Sequence, residues 1–445
     1  MSAPTATGRT NRSSSPSELR KERQRVIFSS YLGSTIEYYD FLLYASAAAL
    51  VFPSVFFSNL DSLAATVASY GTFAAGYLAR PFGGVIFGHF GDKVGRKKML
   101  MISMFIMGIA STLIGCVPSA SSIGSWGAII LVLLRVCQGI AVGGEWGGAA
   151  LMALEHSHQK SRGFAASFVN AGAPSGSALG TLVLGLAASL TSSEDFLAWG
   201  WRIPFLMSFL LLILGLVIRS TVSESPMFTA AMKKLDEQQR GKPSFPIVEV
   251  LRNPKTVILT MLGGASGFAL QVLLSTFSVK YATEYGAQRS TVLYMFALAS
   301  IISVLFVISF AALSDRFGRK PVMISGLVLF IAYVYPMFWL LRSNHAFFIF
   351  LAFTLALAIH ALVFGPLAAF ISEQFGTGSR YTGASLGYQF ATLIGAGFTP
   401  SILAYLYNPG SGASITPVVI FLVFMTIASG IAIFLTRETR HVDIR

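Results

Sequence analysis

Five ionisable side chains, Glu37, Asp40, Arg80, Arg135 and Glu145, stand deep inside stretches otherwise built from Leu, Ala, Phe and Gly. A charge at the middle of a bilayer costs about 2.5–3.5 kcal/mol on insertion scales, so these groups must pair or face a wet cavity. Glu37 and Asp40 are three residues apart and share a helical face with Tyr44. Arg135, Gln138, Val142 and Glu145 recur at helical spacing and form one stripe. The chemistry that suits this set is anion binding coupled to protonation. Arginine presents a planar fork matched to a carboxylate and stays charged at working pH. A carboxyl beside it exchanges a proton as the local field changes. When a solute carboxylate occupies the arginine, the acidic side chain loses its partner and takes up a proton, which is symport by competition for one cation. Counting along the helices puts Asp40 and Arg80 near mid-membrane, with Glu145 about 15 Å from Arg135. Asp40 is therefore the expected proton carrier and Arg80 its switchable partner, with Glu37 and Glu145 as secondary carriers. Arg135 either holds solute or braces its helix through Glu145.

The elements that must position these groups follow from composition. Of 445 residues, 54% are hydrophobic and only 11% charged, against roughly a quarter charged in soluble domains. Scanning for apolar runs long enough to cross a membrane gives twelve: 26–57, 66–91, 98–117, 127–154, 163–190, 203–222, 256–283, 291–313, 320–341, 346–372, 381–408 and 415–436. The expected class is an all-α polytopic membrane protein with twelve transmembrane helices and both termini on one side. Most of the 32 Lys and Arg fall on the side of the termini, while the opposite side holds Arg202, Lys280, Arg289 and Arg342. Basic loops stay cytoplasmic, so both termini are expected inside. The net charge of +13 then serves topology and contact with anionic lipid rather than nucleic acid. Residues 1–25 are polar, basic and Ser-rich, without the apolar core of a signal peptide, and read as a disordered cytoplasmic tail. Cys116 and Cys137 both fall in spans, with no disulfide framework and no metal-ligand spacing. No nucleophile–base set, metal cluster or phosphate-cradling loop suggests an enzyme, and no cofactor is expected beyond the coupling proton.

A repeat organises the chain. Asp92, Gly95, Arg96 and Lys97 return as Asp315, Gly318, Arg319 and Lys320. Glu155 and Arg162, seven apart after the fourth span, return as Glu373 and Arg380 after the tenth. Both pairs match spans six apart, so the chain reads as two six-helix halves in parallel repeat. The expected divisions are a tail at 1–25, a first half at 26–222, a linker at 223–255, a second half at 256–436 and a tail at 437–445. In each repeated turn the glycine serves a tight bend and the aspartate can meet a cation or a helix N-terminus. Asn170, Gly172, Pro174, Gly176 and Gly180 crowd the fifth span, where small residues allow close helix approach. Pro366 and Pro400 interrupt the tenth and eleventh.

At this point the residues match a family. GHFGDKVGRKK at 88–98 resembles the loop between helices two and three of the major facilitator superfamily, and Arg135-x-x-Gln138-Gly139 resembles that superfamily's second motif. More narrowly, STIEYYDF at 34–41, RPFGGVIFGHFGD at 80–92, RVCQGIAVGGEWGGAALMALE at 135–155 and RYTGASLGYQ at 380–389 resemble the metabolite:proton symporter family, which includes bacterial permeases for shikimate, α-ketoglutarate, and proline or betaine. The resemblance implies alternating access in a bacterial inner membrane, with uptake of a small organic anion by proton symport and a monomer as the working unit. It implies that the repeated turns, through Asp92, Gly95, Arg96, Asp315, Arg319, Glu155, Arg162, Glu373 and Arg380, help lock the halves together. It also implies a cavity lined by spans one, four, seven and ten and flanked by the eleventh. By that analogy Tyr388 and Gln389 are expected to contact solute, and with Arg80, Arg135, Gln138, Tyr44, Gln271 and His360 they make up the expected solute contacts. A lone His360 either titrates or is a hydrogen-bonded structural residue. The rival solute is a zwitterion such as proline or betaine, whose ammonium group would want an aromatic cage from Tyr38, Tyr39, Tyr44 and Trp146. A sugar uniporter and a non-transporting sensor are the remaining alternatives.

Overall fold

The computed structural model describes residues 16–94, 96–143, 161–221, 254–376, 380–407 and 414–440. Twelve long helices carry the architecture: α1 Pro16–Leu50, α2 Ser62–Val94, α3 Arg96–Cys116, α4 Trp126–Gly143, α5 Arg162–Leu190 and α6 Arg202–Thr221, then α7 Pro254–Glu284, α8 Arg289–Phe317, α9 Arg319–Leu341, α10 Ala346–Glu373, α11 Arg380–Leu406 and α12 Thr416–Leu435. Each matches one of the expected spans. Nine of them, α4 to α12, contain described stretches long and apolar enough to cross a membrane. α1 and α2 carry Glu37, Asp40 and Arg80 within their apolar runs, and α3 contains an apolar described stretch at Met101–Cys116. α1 starts at Pro16, ten residues before its expected start. Proline suits a first helical position, and the following Glu18, Leu19, Arg20, Lys21 and Glu22 are good helix formers. Residues 16–25 thus continue the helix, whereas the sequence suggested a disordered tail. The expected linker lies almost wholly outside the described residues.

Small residues set the spacing within the first half. A Cβ at Gly139 of α4 would stand 2.0 Å from the Gly76 carbonyl oxygen of α2, and one at Gly143 2.0 Å from that of Arg80. The two backbones therefore touch, and this close crossing holds Arg80 and Arg135 side by side. α5 meets α1 in the same way, as the crowding of its small residues suggested: Cβ atoms at Gly172 and Gly176 would stand 2.5 Å from Ser34 and Thr35. In the second half, α7 and α11 each contain a π-helical turn, at Leu273–Phe277 and Leu393–Gly397, a feature frequent at functional sites. α10 runs unbroken through Pro366, contrary to the expected interruption. α11 is interrupted, but at the π turn before Pro400.

The halves α1–α6 and α7–α12 meet along α5 against α8 and α10, α2 against α11, and α1 against α7. At the end bearing the termini, the tight turn between α8 and α9 needs Gly318, whose φ of 103° is one that side chains with a Cβ rarely adopt.

Candidate solute and proton site

Arg80 and Arg135 share one aromatic ring. The guanidinium carbon of Arg80 lies 4.0 Å from the Phe41 centroid and 4.4 Å from that of Tyr77. That of Arg135 lies 3.7 Å from Phe41, 4.1 Å from Tyr44 and 4.9 Å from Phe73. Arg135 is fully buried and Arg80 nearly so. Among the described residues neither guanidinium forms an ion pair. Arg135 Nη1 donates to Gln138 Oε1 at 3.0 Å, while its Nε and Nη2, and Nε of Arg80, are buried without an acceptor. Aromatic faces partly compensate a buried cation. They do not satisfy N–H donors in the guanidinium plane, which remain open to an anion.

The carboxylates pair differently from the sequence expectation. Asp40 forms no ion pair with Arg80. Its Oδ1 accepts from Ser208 of α6 at 2.5 Å, and Arg135 is the cation acting on it. Ser111 of α3 accepts from Gln138 Nε2 at 2.6 Å. Two hydrogen-bonded groups, Arg135–Gln138–Ser111 and Ser208–Asp40, therefore lie inside the first half. Arg80 instead acts on Glu37, together with Arg219. The reason is helix rotation: three residues on α1 turn Asp40 toward α3 and α6 while Glu37 faces α2. Arg219 lies in the last turn of α6, against Gly33 of α1.

Across the interface from the arginines the second half offers uncharged groups. Tyr388 and Tyr38 share a hydrogen bond of 2.9 Å, and both feel the charges of Arg80 and Glu37. Gln389 Nε2 donates to the Gly143 carbonyl at 3.0 Å, and its Oε1 is buried without a donor. Gln271 and His360 line a narrow cavity between the halves with Ser177, Ser300 and Leu42. The hydroxyls of Ser177 and Ser300 are buried without partners. His360 Nε2 is engaged with the Gly267 carbonyl at 3.0 Å. The aromatic cage considered for an ammonium group is not assembled from its described members. Tyr38 reaches Tyr388, Tyr39 donates to the Pro204 carbonyl, and Tyr44 donates to Thr72. Trp146, Glu145 and Glu155 lie outside the described residues.

At the end bearing the termini, the second copy of the repeated motif ties the halves together. Asp315 of α8 accepts from the backbone N–H groups of Gly163 and Phe164, each at 2.9 Å, and so caps α5 of the other half. Arg319 holds Asp315 at 2.7 Å and Glu373 at 3.3 Å. Glu438 accepts from the backbone N–H groups of Arg319 and Lys320, each at 3.0 Å, and Thr439 donates to Glu373 at 2.6 Å. Arg162 is buried at the start of α5. Of the first copy, Asp92 falls in α2 and Arg96 in α3, but their side chains, that of Arg380 and the whole of Gly95 lie outside the described residues.

Sequence reasoning missed Phe41, Tyr77, Ser111, Ser208 and the cap from Glu438. Phe41 follows Asp40 and carried a usable signal, an aromatic ring at the depth of two arginines. Ser111 and Ser208 carried none, because serines are common in membrane helices.

Twelve helices in two similar halves, with buried charges in one half and neutral polar groups facing them, define a solute carrier of the membrane. The chain belongs to the major facilitator superfamily, in its metabolite-symporter branch. Residues 26–245 match the family described as Sugar (and other) transporter, and residues 259–444 match the Major Facilitator Superfamily. The chain is 40% identical to the shikimate transporter of Escherichia coli (strain K12), over 87% of this chain and 89% of that one. It is 33% identical to the proline/betaine transporter of Salmonella typhimurium (strain LT2), over 86% and 77%. The crystal structure of a D-xylose-proton symporter superposes with a TM-score of 0.73 at 18% identity, covering 94% of this chain and 98% of that one, a likeness of fold. The protein is thus an integral membrane transporter and not an enzyme.

Proposed function

We propose that this transporter imports a small organic anion together with a proton, by alternating access, as a monomer in a bacterial inner membrane with both termini cytoplasmic. The observation that carries the reading is the pair of buried guanidiniums around Phe41, with Nε of both and Nη2 of Arg135 lacking an acceptor among the described residues. Two like charges close together in a low-dielectric interior repel, and a bound carboxylate relieves that repulsion while filling the open donors. Asp40 and Glu37 then lose part of the field of Arg135 and Arg80 and take up protons, which links solute to proton. Solute hydroxyls have partners in Ser177, Ser300 and Gln271. The basic side faces the cytoplasm by the rule for Lys and Arg loops. The zwitterion alternative has less support, because Arg80 and Arg135 already occupy the ring faces an ammonium group would need.

The test is uptake into proteoliposomes with and without an inward proton gradient, with competition by shikimate, quinate, α-ketoglutarate, proline and betaine. Organic acids should compete and accumulate only with the gradient. Competition by proline and betaine alone would overturn the assignment.

A further inference from the structure

A second polar cluster lies at the mouth opposite the termini, away from the arginines. Lys280 of α7 donates from Nζ to Thr66 of α2 at 2.7 Å, bridging the halves. Glu284, one turn later, stands 3.6 Å from the same nitrogen, beyond hydrogen-bond reach. An ammonium group has three donors, and Thr66 accounts for one. Tyr70, one turn from Thr66 on α2, is fully buried, and its hydroxyl has no partner among the described residues. Lys280, Glu284, Thr66 and Tyr70 line one cleft, together with Tyr281 and Tyr407. It is open enough to leave the Lys280 side chain 23% exposed.

We infer that this cleft is a loading site for a carboxylate, held by Lys280 Nζ and the Tyr70 hydroxyl, and that its occupation draws Lys280 away from Thr66. The donors suit an anion: one cation with spare N–H groups and one neutral O–H without an acceptor, converging from opposite halves. Glu284 is the resident competitor for Lys280, so the empty cleft is electrically balanced and the bridge to Thr66 stays closed. An arriving carboxylate takes the place of Glu284 and uses donors the closed form leaves open. The rings of Tyr281 and Tyr407 cover the apolar body of the solute. Because the Lys280–Thr66 bond joins the two halves, loading and opening of this mouth become one event. The inference shares with the proposed function only the anionic nature of the solute.

Acylation of Lys280 by a membrane-impermeant amine reagent, followed by mass spectrometry of the full-length protein in proteoliposomes, tests it without requiring transport. Shikimate and benzoate should slow Lys280 modification severalfold, and the neutral polyol xylitol should not. Glu284→Gln should strengthen protection, and Tyr70→Phe should weaken it by about tenfold in the protecting concentration, as expected for one hydrogen bond to a charged group. Absence of protection by both carboxylates, equal protection by xylitol, or weaker protection in Glu284→Gln would each overturn the loading site. Failure of the proposed function shows separately, as protection of Lys280 by acids that the proteoliposomes do not accumulate.

Discussion

At the scale of single residues, the buried guanidiniums and the carboxylates that answer them decide whether the protein moves protons. Asp40 accepts from the Ser208 hydroxyl and feels Arg135. Asparagine there keeps the shape and removes the titrating group. Asp40→Asn should abolish uptake against a gradient and retain exchange of labelled for unlabelled solute, read by counterflow in proteoliposomes. Proton-driven accumulation at the unmutated level would remove Asp40 from the mechanism. Ser208→Ala should weaken the carboxylate's support by about 1.5–3 kcal/mol, the range for a hydrogen bond to a charged group, and shift the pH profile of uptake without abolishing exchange. The presence of these charges was legible in the sequence, because an apolar span advertises Glu37, Asp40, Arg80 and Arg135. Their pairing was not. Spacing of three residues says that Glu37 and Asp40 lie on one side of α1, but two partners on α2 and α4 can divide them either way. Which carboxylate meets which arginine depends on rotation and on Ser111 and Ser208, residues with no signal of their own.

At the scale of elements, the contact of α2 with α4 fixes where the arginines sit. Gly139 leaves no room for a side chain, since its Cβ would lie 2.0 Å from the Gly76 oxygen. Gly139→Ala should cost about 1–3 kcal/mol or more through overpacking, seen as a lowered melting temperature in detergent and weakened solute binding together. Helix positions were readable from hydropathy alone, because a bilayer demands about 20 apolar residues in a row. Where sequence and structure part, the cause is local chemistry. α1 extends back to Pro16 because helix-forming residues follow it. α10 passes through Pro366 because neighbouring helices in a bundle can accommodate the lost hydrogen bond. The π turns of α7 and α11 had no motif to announce them. A related contact, Glu438 at the start of α9, needs no special sequence beyond an acceptor at the right distance. Glu438→Ala should cost about 1 kcal/mol, as for loss of an N-cap, and loosen the Arg319–Glu373 pair it adjoins.

At the scale of the whole molecule, the two halves are joined at both ends. Asp315 caps α5 at the end bearing the termini, Lys280 meets Thr66 at the other, and Tyr38 meets Tyr388 between them. Alternating access requires one end to release while the other holds, so each join is a term in a two-state balance. Asp315 is the clearer lever, because its two acceptor oxygens serve amides that belong to the opposite half. Asparagine at this position keeps one acceptor, loses the charge that favours a helix N-terminus and loses the ion pair with Arg319. Asp315→Asn should therefore shift the balance toward opening at this end by about 1–2 kcal/mol. Hydrogen exchange read by mass spectrometry should show faster exchange at the start of α5, around Gly163 and Phe164, by roughly tenfold for a shift of 1.4 kcal/mol. Peptides around Lys280 should become more protected at the same time, since a carrier that opens at one end closes at the other. Faster exchange in both places would mean that Asp315 merely stabilises the fold. Unchanged exchange around Gly163 would mean that the cap does not hold the halves together.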